Sequence, residues 1–359
     1  MTYLIQTSDQ GLSAKATWLQ TCDAYPEGTD SVTAIETHMS WVFLTDTHAY
    51  KLKKPIKLDY LDFSTQDKRE HFCREELRLN QQLAPGVYED VVALRQTNSG
   101  DFSLTSEGHI IDWLVRMRRL SRELMLDHLL RSSCVPHSAM NQLGNILTDF
   151  YCDGTTAELA GDEYCHRWKA MLMQNSKLLF APAFELPFGL IESTHARLLE
   201  FLATHAVDLR SRARNVVEGH GDLRPEHICL ESRPIIFDRL EFNRDFRMVD
   251  PVDELSFLAM ECEKLGDTVS GVIPLQVYSN RNGDHPSSCL VHFYQAGRAC
   301  IRARLAAFHI HDCAPSTWPH WRSEAEDYLH IAARHTELLH DPIAIDAHCS
   351  SKSTIEPSS

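Results

Sequence analysis

The chain has no CxxC pair, no hydrophobic run long enough to span a bilayer and, with 35 Lys and Arg against 50 Asp and Glu, too few positive charges. Each absence excludes a class. Its 11 cysteines occur singly, so neither a disulfide framework nor a zinc ribbon is written, and reduced cytosolic thiols are the simpler reading. Nucleic-acid binding needs a cationic surplus to neutralise phosphates, which a net charge of −15 opposes. The start MTYLIQTSDQGLSAKATWLQ lacks a charged segment followed by an apolar one, so no signal peptide and no membrane partner are expected, and the chain is placed in the cytoplasm. What remains is ordinary globular material: 359 residues, 43% hydrophobic and 24% charged, enough for two domains or one large bilobal domain. An acidic surface of this kind tolerates small cationic substrates.

The pattern changes once along the chain. Residues 32 to 62 alternate as strands, VTAIET, WVFLT and AYKLKK, separated by short polar turns, and predict a small antiparallel sheet. From Gln66 to Leu83, apolar residues recur at helical spacing and Ala84-Pro85-Gly86 stops the run. VVALRQ, DFSLT and HIIDWLVRM read as further strands. Beyond Arg118 the segments LMLDHLLR, MNQLGNILTDFY, YCHRWKAMLMQN, HARLLEFLATHAVDLRSRARN, SFLAMECEKL and CLVHFYQAGRACIRARLAAFHI are helical, broken by one polar loop between two short strands. The expected class is α+β: a β-rich N-lobe over residues 1–118, a helical C-lobe over 119–345 and a polar, disordered tail over 346–359.

The polar loop reads GHGDLRPEHICL, from Gly219 to Leu230. ICL and PIIF flank Glu231-Ser232-Arg233 as a hairpin, which would return Asp238 to the side of His227 and make a candidate metal site. Phosphoryl transfer asks a protein for positioning, a divalent ion, a cation on the phosphates and an acid to orient the attacking hydroxyl. Asp222, Asp238 and Lys51 supply one set of such groups from three separate segments. The spacing of His220-Gly221-Asp222, position 227 and Asp238 matches the kinase pattern H-x-D-x-x-x-x-N followed by an acid closing a hairpin, except that histidine replaces asparagine. Plainer readings stand beside these: an HGD turn with a capping acid, edge-strand lysines, and a solvated strand end for Arg116, Arg118, Arg119 and Arg122.

With ETHMSWVFLT, AYKLKKP, HFCREELRLNQQLAP, VRMRRL, GHGDLRPEHICL and IIFDRLEFN in this order, the chain resembles the aminoglycoside phosphotransferase family of the protein-kinase-like fold. It is especially similar to the bacterial branch in which such a domain stands alone or is fused to an ATPase domain. The resemblance implies a two-lobe fold, a small antiparallel N-lobe sheet with a helical C-lobe, and ATP- or GTP-dependent transfer of a phosphate to a hydroxyl of a small molecule. It makes Asp222 the catalytic acid, Asp238 the main Mg²⁺ ligand, and Lys51 the holder of the α/β-phosphates, with Lys53 its same-face neighbour and Lys54 facing away. Glu76 is expected to pair with the lysine, Glu75 being the less favoured candidate, and Asp112-Trp113-Leu114 at the end of the connecting strand to supply backbone groups for adenine. Asp253 would brace the catalytic loop or cap the helix that follows.

The departures from the family pattern are specific. THMS replaces a glycine-rich loop, so phosphate cover would come from backbone near Ser40 and from its hydroxyl. Asp238 runs into Arg239-Leu240 where the family pattern has glycine, and Glu241 offers a second carboxylate. His227 would ligate a softer ion such as Mn²⁺ or Zn²⁺, or hydrogen-bond a metal-bound water or phosphate. Gly266 to Gly271 has P-loop glycine spacing but continues Val-Ile in place of Lys-Ser/Thr, so a fused ATPase domain is not expected. Two other classes stay open: a nucleotide-binding module without turnover, resembling a pseudokinase, and a metal-dependent hydrolase built on His220, Asp222, His227 and Asp238.

Overall fold

The computed structural model describes residues 10–105, 107–312 and 314–339. The tail expected over 346–359 lies outside the described residues. The chain divides into two compact units, one formed by Met1–Leu129 with His220–Met248, the other by Leu130–Gly219 with Val249–Ser359.

The first unit is built on a six-stranded antiparallel sheet. Helix α1 (Gln10–Leu19) precedes strands β1 (Thr33–Glu36), β2 (Ser40–Leu44) and β3 (His48–Lys53), then the two-residue strands β4 (Lys57–Leu58) and β5 (Leu61–Asp62), which pair with each other. Helix α2 (Gln66–Asn80) follows, with Thr65 accepting from the Lys68 N–H as its N-cap. Strands β6 (Tyr88–Gln96), β7 (Phe102–Ser103) and β8 (His109–Arg118) complete the sheet in the order β1-β2-β3-β8-β6-β7.

Period-2 alternation splits this sheet into two faces. Phe43, Tyr50, Leu52, Leu94 and Leu114 pack with Ala16 and Leu19 of α1, while Ala49, Val91, Val115 and Met117 pack with Cys73 of α2. Because both faces are covered, the sheet is apolar on both. Lys51 and Lys53 share the α2 face with Ala49, which is why two lysines can point inward beside a helix.

The expected hairpin is present: Ile228–Cys229 pairs antiparallel with Ile235–Ile236, and both strands are buried. One expectation fails here. Asp112-Trp113-Leu114 is not at a strand end but in the middle of β8, which runs on to Arg118 and pairs Leu114 with Leu52 and with Val92. Asp112 is buried and its carboxylate accepts from Arg69 Nε at 2.7 Å and Lys15 Nζ at 2.8 Å, so the side chain serves as an internal counter-ion.

The second unit is helical, with long elements at His137–Cys152, Gly161–Leu179, Phe188–Thr204, Pro251–Lys264, Ser288–Asp312 and Trp318–Glu337. The pattern read as continuous over 195–215 is broken at His205, where φ is −107° and ψ 24°, and resumes at Ala206–Arg212. Trp168 packs on Phe293 and Tyr294, and Gly297 lets the ring approach: a Cβ there would lie 2.6 Å from it. Asp253 does not cap its helix. The N-cap is Asp250, and Asp253 accepts two bonds from Arg298.

Candidate active site

All six residues singled out as the site belong to the first unit. Glu76 is fully buried on α2 and accepts from both inward lysines, from Lys51 at 2.9 Å on Oε1 and from Lys53 at 2.5 Å on Oε2. Lys51 also donates to Asp238 Oδ1 at 2.6 Å, and Lys53 to Glu241. The ladder therefore ties helix, strand and the segment after the hairpin together. Glu75 instead pairs with Arg78 on the exposed side of α2.

The electrostatics follow from that arrangement. Burial alone would lower both lysines, but Asp238, Glu76 and Glu241 hold Lys51 well above its ordinary range, and Glu241 with Glu76 does the same for Lys53. Burial would raise Glu76 and Asp238; the lysines override it and both lie below the usual carboxylate range. Glu241 moves upward, because its burial and the nearby Glu76 outweigh Lys53. The two lysines differ in access, the Lys51 side chain being 15% exposed and that of Lys53 only 1%. Lys53 also lies 5.0 Å from the ring centre of Phe63, which closes it off further.

The Asp238 backbone is left-handed at φ +59°, a conformation that aspartate tolerates better than most side chains. Its N–H donates to the Tyr88 hydroxyl at 3.1 Å. The next residue is fixed as well: Arg239 N–H donates to Asn80 Oδ1 at 2.8 Å, and its guanidinium to Gln82 at 2.6 Å. Thus the segment that lacks a glycine is pinned to the end of α2. Tyr88 was not visible as a site residue in the sequence, because β6 joins the cluster only through the sheet order.

The loop around Asp222 is shaped by Gly221, at φ +92°, where a Cβ would meet Arg247, Leu240 and the Phe246 carbonyl within 3.2 Å. His220 is fully buried. Its Nε2 donates to the Phe237 carbonyl at 2.9 Å and its Nδ1 accepts from the Asp222 N–H at 3.3 Å, and burial pushes its pKa down to about 3, so the ring is neutral. Asp222 itself is 34% exposed at its side chain and accepts from Arg224 Nε at 3.2 Å.

His227 is buried with its Nδ1 2.8 Å from the Asp222 carbonyl. Its Nε2 is 3.2 Å from Arg224 Nη2 and 3.5 Å from Asp238 Oδ2. Ser40 opens β2 opposite Lys53 and is buried, with its N–H donating to Thr37 Oγ1 at 2.9 Å and its hydroxyl 3.0 Å from the same oxygen. It shares a sheet face with Lys53 but its described contacts are local. The arginines of the strand end are engaged separately: Arg116 with Glu89, Arg118 with Glu231, Arg122 with Asp127, and Arg119 with the Thr45 carbonyl.

As a donor set, Asp238 with its 37% exposed carboxylate suits a hard cation that keeps its waters and shares phosphate oxygens. Among the described residues no group of three or more His, Cys, Asp or Glu is arranged to hold a metal unaided. The set fits a magnesium ion delivered with a nucleotide and does not fit a protein-only zinc centre, as the hydrolase alternative would need.

No family model matches the chain. It is 30% identical over 329 residues to uncharacterized proteins of Mycobacterium tuberculosis and Mycobacterium bovis, a match that takes in 88% of this chain. The chain spans 62% of the length of these curated relatives. Among solved structures it is similar to a choline/ethanolamine kinase family protein from Mesorhizobium loti, with a TM-score of 0.54 and 14% identity over 90% of this chain and 98% of that one. It is also similar to a point variant of aminoglycoside 2'-phosphotransferase-IIIa in complex with GDP, with a TM-score of 0.51 and 14% identity over 92% and 99% of the two chains. The chain has the protein-kinase-like fold of these proteins, as the resemblance in its sequence implied. No described helix is long and apolar enough to cross a membrane.

Proposed function

We propose that the protein is a phosphotransferase of the aminoglycoside phosphotransferase type, moving the γ-phosphate of ATP or GTP to a hydroxyl of a small molecule in the cytoplasm. The observation that carries this reading is the joining, in one ion-pair ladder, of an inward lysine, its helix glutamate and a carboxylate that follows a hairpin, with a second acid on the adjacent loop. On this reading Lys51 exchanges its bond with Asp238 for the α/β-phosphates and keeps Glu76 as its anchor. Lys53, sealed between Glu76 and Glu241, holds Glu76 in place while Lys51 changes partner. Backbone near Ser40 covers the phosphates. Asp238 would hold Mg²⁺, which when bound neutralises the phosphate oxygens.

The chemistry asked of the chain itself is modest. Asp222 orients the acceptor hydroxyl and takes its proton as the new O–P bond forms and the bond from the γ-phosphorus to the bridging oxygen breaks, leaving the nucleoside diphosphate. Removing such a base lowers turnover by about 10²- to 10⁴-fold. Asp222→Asn should therefore abolish phosphate release in a metal-dependent ATPase or acceptor assay while a thermal-shift titration with ATP and Mg²⁺ still shows stabilisation. Unchanged turnover in this variant would sink the mechanism.

A second reading is a nucleotide-binding regulatory module that does not turn over. It is favoured by THMS in place of a glycine-rich loop and by the Asp238–Lys51 pair standing where nucleotide would compete. Tight nucleotide binding with no γ-phosphate loss across a broad panel of amino alcohols, sugars and aminoglycosides would select it.

A further inference from the structure

The donors and acceptors around His227 fix what its ring can do. A carbonyl oxygen only accepts, so the Nδ1 that lies 2.8 Å from the Asp222 carbonyl carries the proton. A guanidinium only donates, so the Nε2 facing Arg224 Nη2 at 3.2 Å offers its lone pair there. That lone pair is the one a metal would need. Nε2 also looks toward Asp238 Oδ2 at 3.5 Å, the direction in which a second cation shared by position 227 and Asp238 would sit. Arg224 thus lays its Nε–Nη2 edge across Asp222 and His227, with Nη1 3.9 Å from Glu226 Oε2, a fixed positive charge between the acid and the second metal position.

We propose that Arg224 replaces the second divalent cation of the transfer site, with His227 as the residue that positions it. The inference rests on the phosphotransferase reading above and sharpens it: one metal ion on Asp238 and one arginine, in place of two metal ions. A guanidinium is a planar fork suited to two oxygens of a phosphate, and it cannot lose its proton near neutral pH, so it can carry the charge of the transferring γ-phosphoryl group as a second metal ion would. The histidine at position 227 then ceases to be a poor metal ligand. It becomes an acceptor of the right shape for an arginine.

The test needs no knowledge of the acceptor. Mn²⁺ is titrated into the full chain saturated with a non-hydrolysable ATP analogue (AMP-PNP), and bound Mn²⁺ per bound nucleotide is counted by electron paramagnetic resonance. The expected count is one for the native chain, rising to two in Arg224→Met combined with His227→Asn, which vacates the position and supplies an amide oxygen. In parallel, Arg224→Met should weaken AMP-PNP by about 10- to 100-fold, the value of a hydrogen bond to a charged group, and leave ADP affinity unchanged. Arg224→Lys should recover part of that preference. A merely structural arginine would weaken both nucleotides together. Two Mn²⁺ in the native chain, or equal losses for AMP-PNP and ADP, overturns the arginine inference and leaves the phosphotransferase reading standing. A native chain that binds no nucleotide overturns both.

Discussion

At the scale of single residues, the most constrained group is His220. Its ring is buried and neutral in the fold, whereas in the unfolded chain it takes up a proton at the ordinary histidine value. The pKa falls from 6.5 to about 3 on folding, so its contribution to stability is complete above pH 6.5 and is lost progressively as the pH falls toward 3. The native chain should accordingly lose stability through that window in denaturant melts at stepped pH. His220→Ala should flatten the loss and cost about 1–3 kcal/mol at neutral pH, because the Phe237 carbonyl and the Asp222 N–H lose their partner. A full acid limb in that variant would assign the loss to other groups. Arg224 makes the opposite point about legibility. It stands two residues after Asp222 within GHGDLRPEHICL, yet nothing in the spacing says that its guanidinium reaches back to Asp222 and forward to His227.

At the scale of elements, the strand period and the helix period meet in Glu76. β3 brings Lys51 and Lys53 to one face two residues apart, and one carboxylate on α2 accepts from both. Lys53 is the more deeply placed, so its removal leaves Glu76 and Glu241 buried with one cation fewer. Breaking a buried pair in this way costs about 3–5 kcal/mol. Lys53→Met should lower the midpoint of chemical unfolding by an amount of that order, whereas Lys51→Met, at the more open end, should cost less stability and far more nucleotide affinity. Equal effects of the two variants on both measurements would deny the division of labour. The convergence of Lys51, Glu76 and Asp238 was legible because strand alternation, helix spacing and a hairpin are local patterns. Which lysine meets Asp238 and which meets Glu241 was not, since both satisfy the same period. The placing of Asp112-Trp113-Leu114 at a strand end does not hold, since β8 continues past Leu114 to Arg118, as the run HIIDWLVRM itself extends to Met117.

At the scale of the whole molecule, each unit has its own core, and the proposed nucleotide-phosphate groups lie in one of them. The helical unit closes around Trp168, with Gly297 as its point of nearest approach. Gly297→Ala forces the ring or the helix to shift and should cost about 1–3 kcal/mol, the usual range for overpacking. The preference for AMP-PNP over ADP should survive it, which a nucleotide titration on the folded variant would check. The helical character of this unit was readable from its apolar periodicity. The break at His205 was not, because apolar spacing continues through it while the backbone turns.

The two imidazoles of the loop around Asp222 are opposite tautomers, and together they bear on the route of a proton. His220 keeps its hydrogen on Nε2 and spends its lone pair on a backbone N–H, while His227 keeps its hydrogen on Nδ1 and spends its lone pair on Arg224. Neither ring has an open basic site, although histidine is the usual relay near neutral pH. In the proposed reaction neither ring takes the hydroxyl proton, which falls to Asp222, whose carboxylate is one-third open to solvent.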